Sequence, residues 1–64
     1  MIALAFERNK IILIYNISGQ QISQIALRSG AHLLSFTNAN VNIIDGNYIY
    51  IYNEYGTQTA MIKI

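Results

Sequence analysis

Tyr48-Ile49-Tyr50-Ile51-Tyr52-Asn53-Glu54-Tyr55-Gly56 is the stretch on which the fold turns. Its first five residues are aromatic or β-branched throughout, the side chains that best fit a pleated sheet. Because successive side chains alternate along a strand, Tyr48, Tyr50 and Tyr52 share one face, and Ile49 and Ile51 share the other. Asn53-x-x-Gly56 follows at once. Asn favours the first position of a type I turn, and Gly supplies the left-handed residue that sends the chain back. The stretch reads as a strand, a four-residue turn and the start of a second strand.

Moved back by 37 positions, it lies over Ile11-Ile-Leu-Ile-Tyr15-Asn16-Ile-Ser-Gly19. Identities fall at Ile12/Ile49, Ile14/Ile51, Tyr15/Tyr52, Asn16/Asn53, Gly19/Gly56, Gln21/Gln58 and Ile25/Ile62. Both copies set Asn-x-x-Gly directly behind an Ile- or Tyr-rich run, so Asn16, Gly19 and Gly56 are expected to be structural turn residues. Asp45-Gly46 is a further hairpin signal, joining Val41–Ile44 to Tyr48–Tyr52. Glu7–Lys10 occupies the corresponding place in the first copy, and Arg28–Gly30 and Thr37–Asn40 punctuate the middle. The expected class is all-β, with seven antiparallel strands at 2–6, 10–16, 21–27, 31–36, 41–45, 48–53 and 57–64. Residues 18–29 admit a second reading, a helix with Ser18 as N-cap and Gln21 closing a capping box.

The chain has 64 residues and a mass of 7.2 kDa, room for one small domain. Repeat one spans about 1–28 and repeat two about 31–64. Four strands per repeat at a period near 40 is the pattern of a propeller blade. Tyr48–Tyr52 followed by Asn53-x-x-Gly56 resembles the third strand and outer turn of blades in the broad WD-like and YVTN-like β-propeller families. The resemblance covers about two-thirds of the chain and lacks the Trp-Asp pair of WD repeats, since there is no Trp. It implies a propeller-like ring. Two blades cannot close one, because rings hold about four to eight.

The strands carry the same implication. Ile11–Tyr15 and Tyr48–Tyr52 are apolar on both faces, whereas a one-sided antiparallel sheet alternates apolar with polar. A domain of this size is marginal without a staple. No Cys is present, and one His with three carboxylates offers no structural metal site. Oligomerisation is the remaining staple, and a homotrimer would supply six blades, as in certain small lectins to which the chain is similar in size and repeat number. Tyr48, Tyr50 and Tyr52 are the expected self-association strip.

Composition narrows the functional classes. Hydrophobic residues make up 53% of the chain and charged residues 11%, so it is not a disordered coil. A net charge of +1 from four scattered Lys and Arg argues against a nucleic-acid groove. No run reaches the ~18 apolar residues of a membrane span, and a cytoplasmic location is expected. No cofactor or metal is implied. His32 can be drawn into a triad with Ser29 or Ser35 and Asp45, but no motif positions it. Glu7, Asp45 and Glu54 fall at expected turns, where acids are ordinarily solvated. Candidate binding residues are Tyr55, Glu54 and Asn53 in one turn, with Arg28 and His32 around Gly30. The leading reading is a non-enzymatic, self-assembling module that binds a protein partner. The alternative is an oligomeric, lectin-like protein that holds carbohydrate on its tyrosines, and a hydrolase centred on His32 is the third.

Overall fold

Short turns divide the chain into seven strands and no helix. In the computed structural model, which describes residues 1–64, these are β1 (Leu4–Arg8), β2 (Ile11–Tyr15), β3 (Gln21–Ala26), β4 (Ala31–Phe36), β5 (Asn40–Asp45), β6 (Tyr48–Asn53) and β7 (Gln58–Lys63). All pairings are antiparallel between sequence neighbours. They give a three-stranded sheet, β1-β2-β3, and a four-stranded sheet, β4-β5-β6-β7.

Residues 18–29 are a strand and its flanking turns, not a helix. Gly19 holds a positive φ of 80°, and Asn16 ties the turn on both sides. Its Oδ1 accepts from the backbone N–H groups of Ser18 and Gln20, both at 3.0 Å. Asn53 does the same for Tyr55 and Thr57 at 2.9 and 3.0 Å, and Gly56 has φ 81°. A shift of 37 carries one turn onto the other, and it carries the strand registers with it. Ile12↔Ile25 becomes Ile49↔Ile62, and Ile14↔Ser23 becomes Ile51↔Ala60. Even the bulge matches: Tyr15 pairs Gln21 and Tyr52 pairs Gln58, leaving one extra residue, Ile22 or Thr59, in each outer strand.

The first hairpin departs from the expected boundaries. β1 runs to Arg8, two residues beyond the expected end, and the turn shrinks to Asn9-Lys10. Both of these have positive φ, 51° and 65°. Two left-handed central residues make the two-residue primed turn whose twist suits a hairpin. Asn is common in that region and Lys is not, whereas the correspondence with Asp45-Gly46 and the clustered charge point to a four-residue loop over Glu7–Lys10. Glu7 consequently belongs to a strand, opposite Ile12.

The sheets pack on each other around Ile2, Ala5, Ile12, Ile14 and Ile25 from one side and Ala31, Val41 and Ile43 from the other. Ile12, Ile14 and Val41 are completely buried. Ile22, Leu27, Leu33, Tyr50 and Tyr52 pack around this cluster. Each sheet thus turns a different face inward. In the three-stranded sheet the inner rows are Glu7–Ile12–Ile25 and Ala5–Ile14–Ser23. Their counterparts 37 residues on, Ile44–Ile49–Ile62 and Asn42–Ile51–Ala60, lie on the outer face of the four-stranded sheet, behind Val41, Ile43, Tyr50 and Tyr52. The two sheets are stacked face to back.

Gly56 sits at the seam. A Cβ there would meet the carbonyl oxygen of Gln24 at 3.2 Å, whereas one on Gly19 would meet nothing within 4 Å. Both glycines share the left-handed conformation, which strains a β-branched residue by about 1–3 kcal/mol. Gly56→Val is therefore expected to destabilise more than Gly19→Val, because backbone cannot move aside as a side chain can. Urea denaturation of both variants checks the order, and equal losses would remove the role assigned to the seam.

Candidate functional site

A cleft of about 80 Å³ lies between the end of β3 with its following connection and the inner face of the four-stranded sheet. Ala26, Leu27, Ala31 and Ile43 supply apolar walls, and Tyr50 and Tyr52 add their rings. Arg28, Asp45 and Gln58 bring a guanidinium, a carboxylate and an amide to the same cleft. Local structure explains each position. Arg28 stands in the connection between β3 and β4, which ends at Gly30 with φ 87°, and the Ala31 N–H donates to the Arg28 carbonyl at 3.0 Å. Asp45 ends β5 opposite Ala31, and Gln58 begins β7 opposite Tyr52. The chemistry is an apolar pocket with a few polar groups, the usual composition of a ligand site.

The tyrosine strip faces inward. Tyr50 and Tyr52 pack on the core, and Tyr48 stacks on Tyr50 with ring centroids 6.2 Å apart. The strip is thus half-buried between the chain's own sheets. Phe6 and Tyr15 form a second stack, 5.8 Å apart and nearly parallel, on the outer face of the three-stranded sheet, where Phe6 pairs Leu13 and Leu4 pairs Tyr15.

The remaining candidates do not converge. Tyr55 is 73% exposed in the β6–β7 turn, at the opposite end of the sheet from Arg28. In the same turn, Asn53 is occupied with the backbone and Glu54 pairs with the Met1 ammonium. The Glu54 carbonyl accepts from the Ser23 hydroxyl at 2.6 Å, which fastens this turn to β3. His32 lies on the edge strand β4. Its Nδ1 meets Glu7 Oε2 at 3.1 Å, while Glu7 Oε1 accepts from the Leu33 N–H at 3.0 Å. Asp45 is therefore not the partner of His32, and the Ser35 hydroxyl accepts from the Asn42 amide.

Glu7 was expected to be a solvated turn residue, and its place on β1 makes it a latch between the sheets instead. The Leu33 N–H first, and then His32, hold its carboxyl below the usual carboxylate range. Glu54 is lowered as well, chiefly by the Met1 ammonium. A depressed folded-state value means that the carboxylate's contribution is complete above the ordinary carboxylate range and is lost as pH falls through the lowered one. Between about pH 6 and about pH 3 the wild type should lose more stability than Glu7→Gln, whose amide oxygen still accepts from Leu33 but does not titrate. Urea midpoints for the two proteins at each pH test this, and parallel losses would assign the whole acid sensitivity elsewhere.

No group of three His, Asp or Glu side chains is placed to hold a metal ion, and no helix is long and apolar enough to cross a membrane. The chain matches no protein-family model, no curated protein and no solved structure.

Proposed function

We propose that this chain is a non-enzymatic binding module that assembles with copies of itself, three being the favoured number, and presents the assembly to a protein partner. The observation that carries the reading is apolar surface left open on both sheets. Leu4 is 47% exposed and Ile62 48%, with Phe6, Ile11, Leu13, Ile44, Ile49 and Ile51 half-buried around them. Open apolar faces of this kind on a small domain mark contact surfaces. Three chains would bring six sheets together, within the range in which propellers close. Tyr55, at an exposed turn tip beside Asn53 and Glu54, is the contact offered to the partner. The non-enzymatic part rests on placement: Asp45 does not meet His32, and the Ser35 hydroxyl is bonded to the Asn42 amide and not to the imidazole. Light scattering over a micromolar dilution series tests the assembly. A mass near three times 7.2 kDa is expected, and a single-chain mass throughout would overturn the reading.

The cleft favours a second reading, an oligomeric carbohydrate-binding protein. Two tyrosine rings beside Arg28, Asp45 and Gln58 suit a sugar, whose ring offers C–H groups to an aromatic face and hydroxyls to polar side chains. A glycan array with the wild type and Arg28→Ala decides. Binding that the variant loses supports this reading, and an array without binding removes it.

A further inference from the structure

The contact inside the chain is a template for a contact between chains. Face-to-back stacking leaves each molecule with two different open faces, and both already have a buried counterpart 37 residues away. The outer face of the four-stranded sheet carries Ile44–Ile49–Ile62 in one row and Ile51 in the next. These are the register equivalents of Glu7–Ile12–Ile25 and Ile14, which form the buried side of the three-stranded sheet. The outer face of the three-stranded sheet carries Leu4, Phe6, Leu13 and Tyr15. These are equivalent to Val41, Ile43, Tyr50 and Tyr52, which receive that buried side.

We propose that a second copy of this chain docks head to tail, the isoleucine face of one copy seated on the Leu4-Phe6-Leu13-Tyr15 face of the next. This deepens the self-assembly reading and rests on it. The occupant follows from the interface already present: a surface built like Ile12 and Ile14 is buried by a surface built like Tyr50 and Tyr52, and each molecule exposes one of each. The replacement of Glu7 by Ile44 at the equivalent position makes the open face more apolar than its internal template. Gly19 gains a purpose here. Its Cβ position is empty within the chain, but its equivalent Gly56 is pressed on the Gln24 carbonyl, so Gly19 would lie against the Met61 carbonyl of the next copy.

Such a contact is heterologous: it uses two different patches, and it propagates until a ring closes or a fibre grows. A two-fold dimer would instead bury one patch against itself. Two variants separate these arrangements. Ile49→Glu blocks one face and Leu13→Glu the other, each on an outer surface away from the buried core. Each alone should be monomeric by light scattering, and an equimolar mixture should give a 1:1 pair and stop there. Dimers formed by either variant alone, or two monomeric variants that ignore each other when mixed, would overturn the head-to-tail contact while leaving self-assembly intact. A wild type that stays monomeric would overturn both.

A gentler pair guards against misfolding of the glutamate variants. The chain has no cysteine, so Leu13→Cys and Ile49→Cys each introduce a single thiol. Oxidised together in a glutathione buffer, they should give roughly tenfold more mixed disulfide than either same-site disulfide, because docking raises the effective concentration of one thiol beside the other. A statistical mixture overturns the proposal.

Discussion

Ile14→Ala is expected to remove a large share of the fold's stability. Ile14 is completely buried in β2, between Ala5 on one neighbouring strand and Ser23 on the other. Truncating a buried Ile removes its transfer free energy and leaves a cavity, together about 2–5 kcal/mol. A domain of this size has on the order of 3–10 kcal/mol in total. The control lies 37 residues away. Ile51 occupies the same place in β6 and has the same bulge beside it, but it faces outward and is only half-buried. At concentrations low enough to keep the chain single, Ile51→Ala should cost about 1 kcal/mol, since little contact area is lost. Urea denaturation followed by far-ultraviolet circular dichroism compares them. Equal losses would mean that the inner and outer faces have been exchanged.

Tyr50→Ala has the second large effect. Tyr50 lies on the inner face between Ile43 and Met61, packs against the core and lines the cleft. Removing a large aromatic from such a layer costs about 3 kcal/mol or more and should lower the melting temperature by many degrees. Tyr55→Ala is the contrast: with its ring exposed at a turn tip, it should stay within about 0.5 kcal/mol of wild type. A ligand platform behaves differently, because its rings add little to folding. Were Tyr50→Ala to melt within about 1 kcal/mol of the wild type, the ring would be serving a ligand and not the fold.

Strands and turns were legible because their determinants are local. Five alternating Tyr and Ile residues followed by Asn53-x-x-Gly56 define a strand and its turn without help from the tertiary structure. The offset of 37 then set Gln21–Ala26 beside Gln58–Lys63, which favoured a strand where capping residues had also allowed a helix. What stayed hidden is non-local. Ile12 and Ile49 are followed by the same residues two to four positions on, Ile14-Tyr15-Asn16 and Ile51-Tyr52-Asn53, and the stacking of the sheets decides that one is buried and the other open. Glu7 stands on β1 and not in the expected loop, because Asn9 and Lys10 close the turn alone, Lys10 in a left-handed conformation that Lys seldom takes. Its latch to Leu33 and His32 was out of view for that reason. The cleft joins Arg28, Asp45 and Gln58 from three separate segments, and no spacing pattern connects them.

Every hydrogen-bonded strand pair joins neighbours in the chain, through connections of two to a few residues. The order of assembly follows from that. Hairpins of this kind zip in microseconds, and each needs only a short loop to close. Contact between the two meanders is the one event that brings distant segments together, and it must squeeze water from between Ile12, Ile14, Val41 and Ile43. The barrier to folding therefore belongs to docking and not to strand pairing. Substitutions at these four residues should slow folding, while those in the outer strand β7 should act mainly on the rate of unfolding.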